Sequence, residues 1–458
     1  MFLFYAMPII FVLGIIMIAL EDVVHINKAA TAVGMSILLW LICLLDAAGL
    51  FALHTPEYME NFIAGFPKFA ALSPAGQAYR YVEVALVEAL GDVSTTLFFV
   101  LASMAIVEVL DSHGAFSVIT KSIKSKGKRR LAWTFGTLTF VLSALLGNLA
   151  TVIVMVAVLR KLIADKSDRM IYACLTILTA NAGGSWSPIG DVTTLLLWTG
   201  GNLTVTHQVS HLILSSALYA TIACTIVSLM FPKGSNIQDV VLEKSHLPEY
   251  ITHKYQTTLL LIGLSSLAMV PVFQSLFNLP PFMGVLLGLV ILWVITDIKA
   301  HKSHDSASRK LLVSNLFSKL DISTVLFFLG ILMSVHTLKT VGFLSELSMG
   351  LNKLIADPNI ISLLLGVCSS FLDNVALVAA SMGMYPIAEA GPFMTDGTFW
   401  TFLAYCAVTG GSLLIIGSAS GVTVMGMEKI SFVYYLKKFS WIALLSYAAG
   451  AVVYLLLF

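Results

Sequence analysis

Charged side chains are scarce in this chain of 458 residues. Only 11% of its residues are Asp, Glu, Lys or Arg and 58% are hydrophobic, whereas roughly 25% of the residues in ordinary soluble domains are charged. Apolar runs long enough to cross a bilayer recur along the chain. The composition therefore excludes an ordinary soluble domain and predicts a polytopic membrane protein.

Cysteine is also rare, and the spacing of the cysteines does not match that of a metal site. The chain has 5 cysteines, all in apolar segments and none in a CxxC pair: Cys43, Cys174, Cys224, Cys368 and Cys406. This pattern excludes a disulfide framework and a thiolate metal site, and it predicts buried free thiols.

Sequence signals for catalysis and for nucleic-acid binding are missing. No apolar segment contains HExxH, GxSxG or a helix with paired metal ligands, so we expect no enzymatic activity and no resident cofactor. The net charge is +1 and the basic residues lie in short loops, so we expect no nucleic-acid partner. The first apolar run, 2–20, lacks a basic leader and a small-residue cleavage site, which predicts a span and not a signal peptide.

Three short patterns occur twice in the chain, in the same order and about 228 residues apart. The pairs are DVSTTLFF and DISTVLFF (from Asp92 and Asp321), LGNLA and LDNVA (from Leu146 and Leu372), and GGSWSPIG and GGSLLIIG (from Gly183 and Gly410). Three ordered matches at a nearly constant offset predict two related halves.

Basic loops orient these halves in the membrane. Segment 121–130 carries six basic residues in ten, and segment 297–319 carries five more, so both are expected in the cytoplasm. The span after Asp92 runs into the first loop, and the span after Asp321 leaves the second. The same pattern therefore crosses in opposite directions, which predicts an inverted repeat.

The predicted fold is all-α and polytopic, with about ten transmembrane helices, two re-entrant hairpins and two broken helices. The first repeat is placed at 1–231, a cytoplasmic loop at 232–255 and the second repeat at 256–458. Residues 54–91 are expected to form an external segment that ends in an amphipathic helix, with both termini outside. The predicted spans are 2–20, 29–53, 92–111, 208–231, 256–276, 280–298, 321–340 and 437–457, with broken spans at 170–199 and 398–426.

The two hairpins are inferred from the middle of each half. The stretch 131–164 has basic residues at both ends and a break at Gly147-Asn148, which predicts a hairpin that enters from the cytoplasm and returns there. Its mate, 359–386, breaks at Asp373-Asn374 and is expected to enter from outside. Paired breaks in corresponding helices of two halves are a pointer to a transport site.

Oxygen-bearing side chains are concentrated at the four breaks, and Arg, Lys and His are absent from them. Carboxylate, amide and hydroxyl oxygens suit hard cations, and a charged side chain at membrane depth is a functional candidate. We therefore predict that Asp373 and Asp191 hold a cation or a proton, with Na⁺ bound at Asp373, Asn374, Asn148 and Asp191. The alternative for both acids is that they only cap half-helices.

The rest of the predicted ion- and proton-binding set consists of polar side chains at the same breaks: Asn181, Thr193, Thr194, Ser369, Ser370 and Ser418. Secondary candidates are Ser143, Thr151, Ser185, Ser412, Glu108 and Asp46. Thr179, Thr409 and Ser420 are further oxygen-bearing residues near the breaks.

Acids outside the breaks receive other interpretations. Asp92 and Asp321 each precede Ser-Thr at a predicted span start, which favours N-capping. Glu108, with His336 as its repeat mate, is a candidate for a proton path or a gate. Asp46 lies inside the second predicted span without an obvious partner.

Long motifs in both halves resemble the NhaD-type sodium/proton antiporters of the ion transporter superfamily. They are AIVEVLDSHGAF (105–116), SALLGNLATVIVMVAVLRKLI (143–163), TANAGGSWSPIGDVTTLLLW (179–198), SSFLDNVALV (369–378) and GGSLLIIGSASGVTVMGM (410–427). The resemblance implies exchange of Na⁺ and Li⁺ for protons, importance of the ion- and proton-binding residues named above, and a role in pH homeostasis. It also implies a homodimer with a fixed scaffold and a mobile, elevator-like unit, in the plasma (inner) membrane of a bacterium.

One departure from that family bears on coupling. The family commonly reads Asp-Asn at the first hairpin tip, whereas this chain reads Gly147-Asn148. One family carboxylate is therefore missing, and the resemblance does not fix the ratio of protons to sodium.

The hypothesis is that cation and proton compete for shared oxygens during alternating access. Burial disfavours the charged form of a carboxylate, and a bound cation favours it. A sodium-coupled anion symporter on the same scaffold is the main alternative, against which the lack of basic residues at the breaks counts. A passive channel and a membrane-embedded enzyme are further alternatives; inverted repeats with buried acids favour a carrier.

Overall fold

The computed structural model of this protein consists of helices. The structure describes residues 2–19, 21–53, 59–60, 62–63, 67–123, 125–237, 248, 250–277, 279–302, 306–355 and 357–458. Within these ranges no strand occurs, and one isolated antiparallel bridge joins Gly127 to Asn236. Six described helices are long and apolar enough to cross a membrane. The prediction of an all-α polytopic membrane protein is therefore confirmed.

The longer helices are numbered here in chain order. They are α1 (Phe2–Ala19), α2 (Lys28–Leu45), α3 (Ala47–Leu53), α4 (Pro74–Ser112), α5 (Lys128–Leu146), α6 (Asn148–Leu162), α7 (Lys166–Ser185), α8 (Val192–Thr199), α9 (Val205–Leu229), α10 (His253–Ala268), α11 (Val270–Phe277), α12 (Pro281–Lys302), α13 (Ile322–Thr340), α14 (Phe343–Leu354), α15 (Pro358–Cys368), α16 (Asn374–Met384), α17 (Thr398–Gly410), α18 (Ala419–Glu428), α19 (Phe432–Lys438) and α20 (Ser440–Leu457). The six that pass the length and hydropathy test are α2, α4, α9, α12, α13 and α20. The count of ten spans and two re-entrant hairpins stays a prediction.

The third span does not begin where the sequence suggested. Asp92 was expected to cap a new helix after an external segment at 54–91, but it lies inside α4, which runs for 39 residues from Pro74. The N-cap prediction for Asp92 is therefore wrong. A single Gly91 costs a helix only about 1 kcal/mol, and the good helix formers on both sides carry the helix through it. Its repeat mate Asp321 does cap α13, because its carboxylate accepts from the Thr324 N–H at 3.1 Å.

Two other predicted spans contain interruptions. Span 29–53 is split at Asp46, which ends α2 as its C-cap, and span 256–276 is split between α10 and α11. Pro271 lies in the first turn of α11, where its missing N–H is tolerated. Within the loop predicted at 232–255, residues 238–247 and 249 lie outside the described residues.

The cysteine prediction holds with one exception. All five thiols are free, and four of them are buried, but Cys368 is exposed. It occupies the last residue of α15, next to the second hairpin tip, so the prediction that it is buried is wrong.

One compact unit comprises Met1–Leu97, Asp321–Ile361 and Val375–Ala388. Its centre is the pair α2 and α13, where Trp40 Nε1 donates to the Met333 carbonyl at 3.0 Å. Gly330 allows these helices to approach, because a Cβ there would meet the Ala32 backbone. Both predicted repeats contribute residues to this unit.

The second unit comprises Phe98–Leu320, Ser362–Asn374 and Glu389–Phe458, and it too draws on both predicted repeats. It contains every candidate site residue except Asp46. The division into repeats at 1–231 and 256–458 stays a prediction.

Within the second unit, the same contact occurs twice at positions that the sequence repeat relates. Ser143 Oγ on α5 donates to the Ala180 carbonyl of α7 at 2.6 Å, and Ser369 Oγ after α15 donates to the Ala407 carbonyl of α17 at 2.6 Å. Each hydroxyl therefore ties a hairpin arm to the first half of the following broken helix.

Glycines make the same pairings close. A Cβ at Gly183 of α7 would meet the Phe140 carbonyl oxygen, and a Cβ at its mate Gly410 of α17 would meet the Gly366 carbonyl oxygen. Neither glycine has a positive φ. Glycine is therefore required at both positions by the close approach of the helices and not by the backbone conformation.

Substituting alanine at Gly183 or Gly410 is expected to destabilise the protein by about 1–3 kcal/mol, because the helices must move apart to admit a methyl group. The measurement is the midpoint of thermal unfolding of purified protein in detergent. Gly426→Ala is the matched control, because nothing lies within 4 Å of a Cβ there. At this helical position alanine should be neutral or slightly stabilising. Equal midpoints for all three variants would contradict the packing argument.

Candidate functional site

The two predicted broken spans each stop and restart in a similar way. The first stops at Ser185 and restarts as α8, with Asp191 as N-cap: its Oδ1 accepts from the Thr193 N–H at 2.7 Å. The second stops at Gly410 and restarts as α18, with Ser418 as N-cap: its Oγ accepts from the Gly421 N–H at 3.2 Å.

The first hairpin tip contacts the first broken span. Gly147 ends α5 with a φ of 83°, a backbone conformation that glycine adopts without strain. The next residue, Asn148, donates its backbone N–H to the Gly190 carbonyl at 2.9 Å. Its side-chain Nδ2 donates to Asn181 Oδ1 at 3.1 Å and also to Asp191 Oδ2.

Asp191 is the buried acid of this cluster, with 5% of its surface exposed. Besides Thr193 N–H and Asn148, it is approached by Asn374 Nδ2 from the second hairpin tip, at 3.5 and 3.4 Å from its two oxygens. Asp373 is half-buried between α15 and α16 and directly precedes Asn374. The four residues predicted to hold Na⁺ thus lie together.

Asn181 links the first broken span to the second. Its Nδ2 donates to Ser412 Oγ at 2.8 Å and to Ser418 Oγ at 3.1 Å, while its Oδ1 accepts from Ser420 Oγ at 2.8 Å. Ser420 also contacts Ser418, 2.9 Å between hydroxyl oxygens. The cluster is therefore continuous from the first hairpin tip to the start of α18.

Two threonine hydroxyls lie in the first turns of the helices that start at the breaks. Thr193 Oγ1, in the first turn of α8, belongs to a fully buried side chain beside the Asp191 carboxylate. Thr151 Oγ1, in the first turn of α6, is also fully buried and has no hydrogen-bond partner among the described residues. A buried polar atom without a partner costs free energy.

The hydrogen-bond donors around Asp191 determine the electrostatics of the cluster. In the described part of the chain, the hydrogen bonds to Asp191 come from a backbone N–H and two side-chain amides, and no Lys, Arg or His donates to it. A buried carboxylate that neutral donors alone surround remains incompletely compensated. Such a group favours either a proton or a bound cation.

The other candidates take different positions. Thr194 Oγ1 donates to the Ser187 and Asp191 carbonyls, so it braces the turn. Ser370 Oγ donates to the Val367 carbonyl in its own turn, and Ser185 Oγ meets Ser216 of α9.

Two secondary candidates lie apart from the contacts that join the cluster. Glu108 contacts Ser112 at 2.7 Å and forms an ion pair with Lys319 at 3.3 Å. Asp46 belongs to the first unit, where it caps α2.

Sequence reasoning missed two supports of the site. Ser187 Oγ donates to the Ala144 carbonyl at 2.6 Å, and the Gly190 carbonyl receives the Asn148 N–H. Ser187 lies inside the repeated GGSWSPIG motif, so that motif was a usable signal. A backbone carbonyl carries no signal in the residue letters.

Comparison with known proteins identifies the protein family. The model of the family described as "Citrate transporter" matches residues 1–401. Sodium/proton antiporter 1 of Arabidopsis thaliana is 36% identical over 98% of this chain and 72% of its own length, and sodium/proton antiporter 2 of the same plant is 34% identical over 98% of each. The Na(+)/H(+) antiporter NhaD of Vibrio cholerae is 30% identical over 79% of this chain and 78% of its own.

A solved structure has the same fold at low sequence identity. The YdaH transporter of Alcanivorax borkumensis, which its title describes as having an unusual topology, superposes with a TM-score of 0.56 at 14% identity. The match covers 92% of this chain and 97% of that one. The family match and the curated relatives show that the chain is a multi-pass membrane transporter and not an enzyme. It belongs to the citrate transporter family, among the NhaD-type sodium/proton antiporters, as its motifs had indicated.

Proposed function

We propose that this transporter exchanges Na⁺, and also Li⁺, for protons across a membrane. The observation that carries the proposal is the buried Asp191 carboxylate, which receives hydrogen bonds from neutral donors only. The antiporter names of the relatives support the same reading.

The exchange follows from competition for the same oxygens. Asp191 and Asp373 would contribute carboxylate oxygens to Na⁺, and the Thr193 hydroxyl would add another. Asn148 and Asn374, which now donate Nδ2 to Asp191, would turn their amide oxygens to the cation when it binds. The carboxylates must lose their protons before the cation binds. Each loaded state, protonated or sodium-bound, keeps the site close to neutral and able to cross the membrane.

Alternating access completes the proposed cycle. An elevator-like movement in a homodimer would carry the hairpin tips and broken helices between the two faces, without a resident cofactor. The cellular role would be pH homeostasis. Relatives occur in a plant as well as in bacteria, so they do not fix the organism or the membrane. The location in the plasma membrane of a bacterium is therefore part of the proposal.

Sodium-coupled uptake of an organic anion is the second candidate, because the matching family is described by its citrate transporters. A citrate site needs groups that neutralise several carboxylates. The described cluster offers no basic side chain, so bound sodium alone would have to neutralise the carboxylates of citrate. We therefore rank antiport first.

The test is a ΔpH-sensitive dye in inverted vesicles from cells with and without the protein, to which Na⁺, Li⁺, K⁺ or citrate is added in turn. We expect Na⁺ and Li⁺ to dissipate the gradient and K⁺ to leave it unchanged. The half-saturating Na⁺ concentration should fall with rising pH, by up to about tenfold per unit, because cation binding releases a proton. No response to any cation, or saturable citrate uptake that needs Na⁺, would reject antiport.

A further inference from the structure

A basic pocket lies at the start of α5, away from the acidic cluster. It has a volume of 430 Å³, and its lining includes Lys126, Arg129, Arg130 and the 234–236 turn. Among the described residues, three cationic side chains and no acidic one line it. Its charge is therefore suited to an anion.

The backbone around the pocket is held in place. Lys128 N–H donates to the Ser235 carbonyl and Ile237 N–H to the Lys126 carbonyl, each at 2.9 Å. Arg129 Nε donates to the Phe231 carbonyl at 2.7 Å, which fixes its side chain beside the turn. Hydrogen bonds thus hold together the two segments that line the pocket, the start of α5 and the 234–236 turn.

Two further features of the pocket favour an anion. Gly127 caps α5 without a side chain, so no side-chain oxygen covers the positive end of this 19-residue helix beyond the Ser235 carbonyl that accepts from Lys128 N–H. The Ser125 hydroxyl, also in the lining, has no hydrogen-bond partner among the described residues.

Neighbouring apolar residues place the pocket at a membrane surface. Trp133 follows Arg130 by three residues, so the two share a helix face, and 39% of the Trp133 surface is exposed. Leu229 and Met230, at the end of α9, are exposed beside Phe231 at 61% and 37%. Tryptophan next to basic residues is typical of the boundary between hydrocarbon and headgroups.

We propose that this pocket binds the phosphate group of an anionic membrane lipid. The three cations and the helix terminus would take the phosphate, and the exposed apolar residues next to them would take the acyl chains. Soluble phosphate shares the headgroup chemistry but has no use for that apolar surface. The proposal is independent of which ion the transporter carries.

The experiment measures the thermal unfolding midpoint of the purified full-length protein in detergent during titration with phosphatidylglycerol, phosphatidylcholine or inorganic phosphate. The test variant is Lys126→Gln/Arg130→Gln. The control, Arg309→Gln/Lys310→Gln, makes the same charge change at two exposed residues elsewhere. Arg130→Gln alone is the fallback if the double variant does not fold, because this side chain is exposed.

We expect phosphatidylglycerol to raise the unfolding midpoint of the parent protein and phosphatidylcholine to leave it unchanged. The test variant should need about tenfold more phosphatidylglycerol for the same shift, because each basic residue near a membrane surface contributes to anionic-lipid binding. The control should respond like the parent protein. A pocket-dependent shift with inorganic phosphate alone would reject the lipid as ligand. Equal weakening in both double variants, or no shift with any additive, would overturn the site itself.

Discussion

Replacing Asp191 with asparagine is expected to abolish sodium-dependent proton movement while leaving the fold intact. The substitution removes the titrating oxygen and the negative charge that would hold the cation, but keeps the shape of the side chain. Asparagine caps helices as well as aspartate does, so the hydrogen bond from the Thr193 N–H survives. The measurement is the dye response of inverted vesicles to Na⁺ and Li⁺.

Asp165→Asn is the matched control, because Asp165 is also an N-cap. Its carboxylate accepts from the Asp168 N–H at 2.8 Å at the exposed start of α7. The same substitution is thus made at two caps, of which only Asp191 contacts Asn148 and Asn374. Loss of exchange at Asp191 alone would assign the effect to its charge. Normal exchange in the Asp191→Asn variant would mean that this acid only caps α8.

The repeat itself argues against capping as the whole explanation. Ser418 is the mate of Asp191 and caps α18 with a neutral hydroxyl, so the break in a spanning helix can be capped without a charge. At the breaks in the spanning helices the first half carries the acid, whereas at the hairpin tips the second half does, because Asp373 matches Gly147. Each matched pair keeps one acid, and burying an acid where a serine suffices for capping needs another reason.

The parts of this site that could be predicted are those with local signals. Glycine or polar residues that interrupt apolar runs marked the breaks, and the recurrence of the motifs tied four breaks into one set. Because irregular backbone at membrane depth must face protein or a cavity, polar residues at the breaks were expected to meet. The contact of Asn181 with Ser412 and Ser418 agrees with that expectation.

Other parts had no local signal. Gly91-Asp92 resembled a helix start, yet α4 continues through it, because one glycine costs less than the surrounding helix gains. Glu428 received no role in the sequence analysis, yet it pairs with Arg160 and Arg169, 268 and 259 residues away along the chain. Pairing at such separations depends on the tertiary fold, which residue patterns within one segment do not encode.

Replacing Glu428 with glutamine is expected to lower the free energy of unfolding by about 3 kcal/mol. Its carboxylate, with 1% of the side chain exposed, accepts from Arg160 Nε at 2.7 Å and from Arg169 Nε at 2.8 Å. Removing one partner of a buried ion pair costs about 3–5 kcal/mol. The lower value applies because Arg160 is 47% exposed and water partly compensates it. Thermal or denaturant unfolding in detergent measures the loss.

The matched control is Glu83→Gln, because Glu83 pairs with Arg80 at 2.6 Å on the surface, with the side chains 54% and 58% exposed. Exposed pairs contribute about 0–1 kcal/mol, so this variant should unfold close to the parent.

Glu428 should also affect transport, because of the helices that it joins. Arg160 lies at the end of α6, Arg169 near the start of α7 and Glu428 at the end of α18. The opposite ends of these three helices carry Asn148, Asn181 and Ser418, so the ion pairs fix the register of three ligand-bearing helices. We expect Glu428→Gln to raise the half-saturating Na⁺ concentration while Glu83→Gln does not. An unchanged unfolding midpoint and unchanged sodium response would show that the three helices keep their register without this carboxylate.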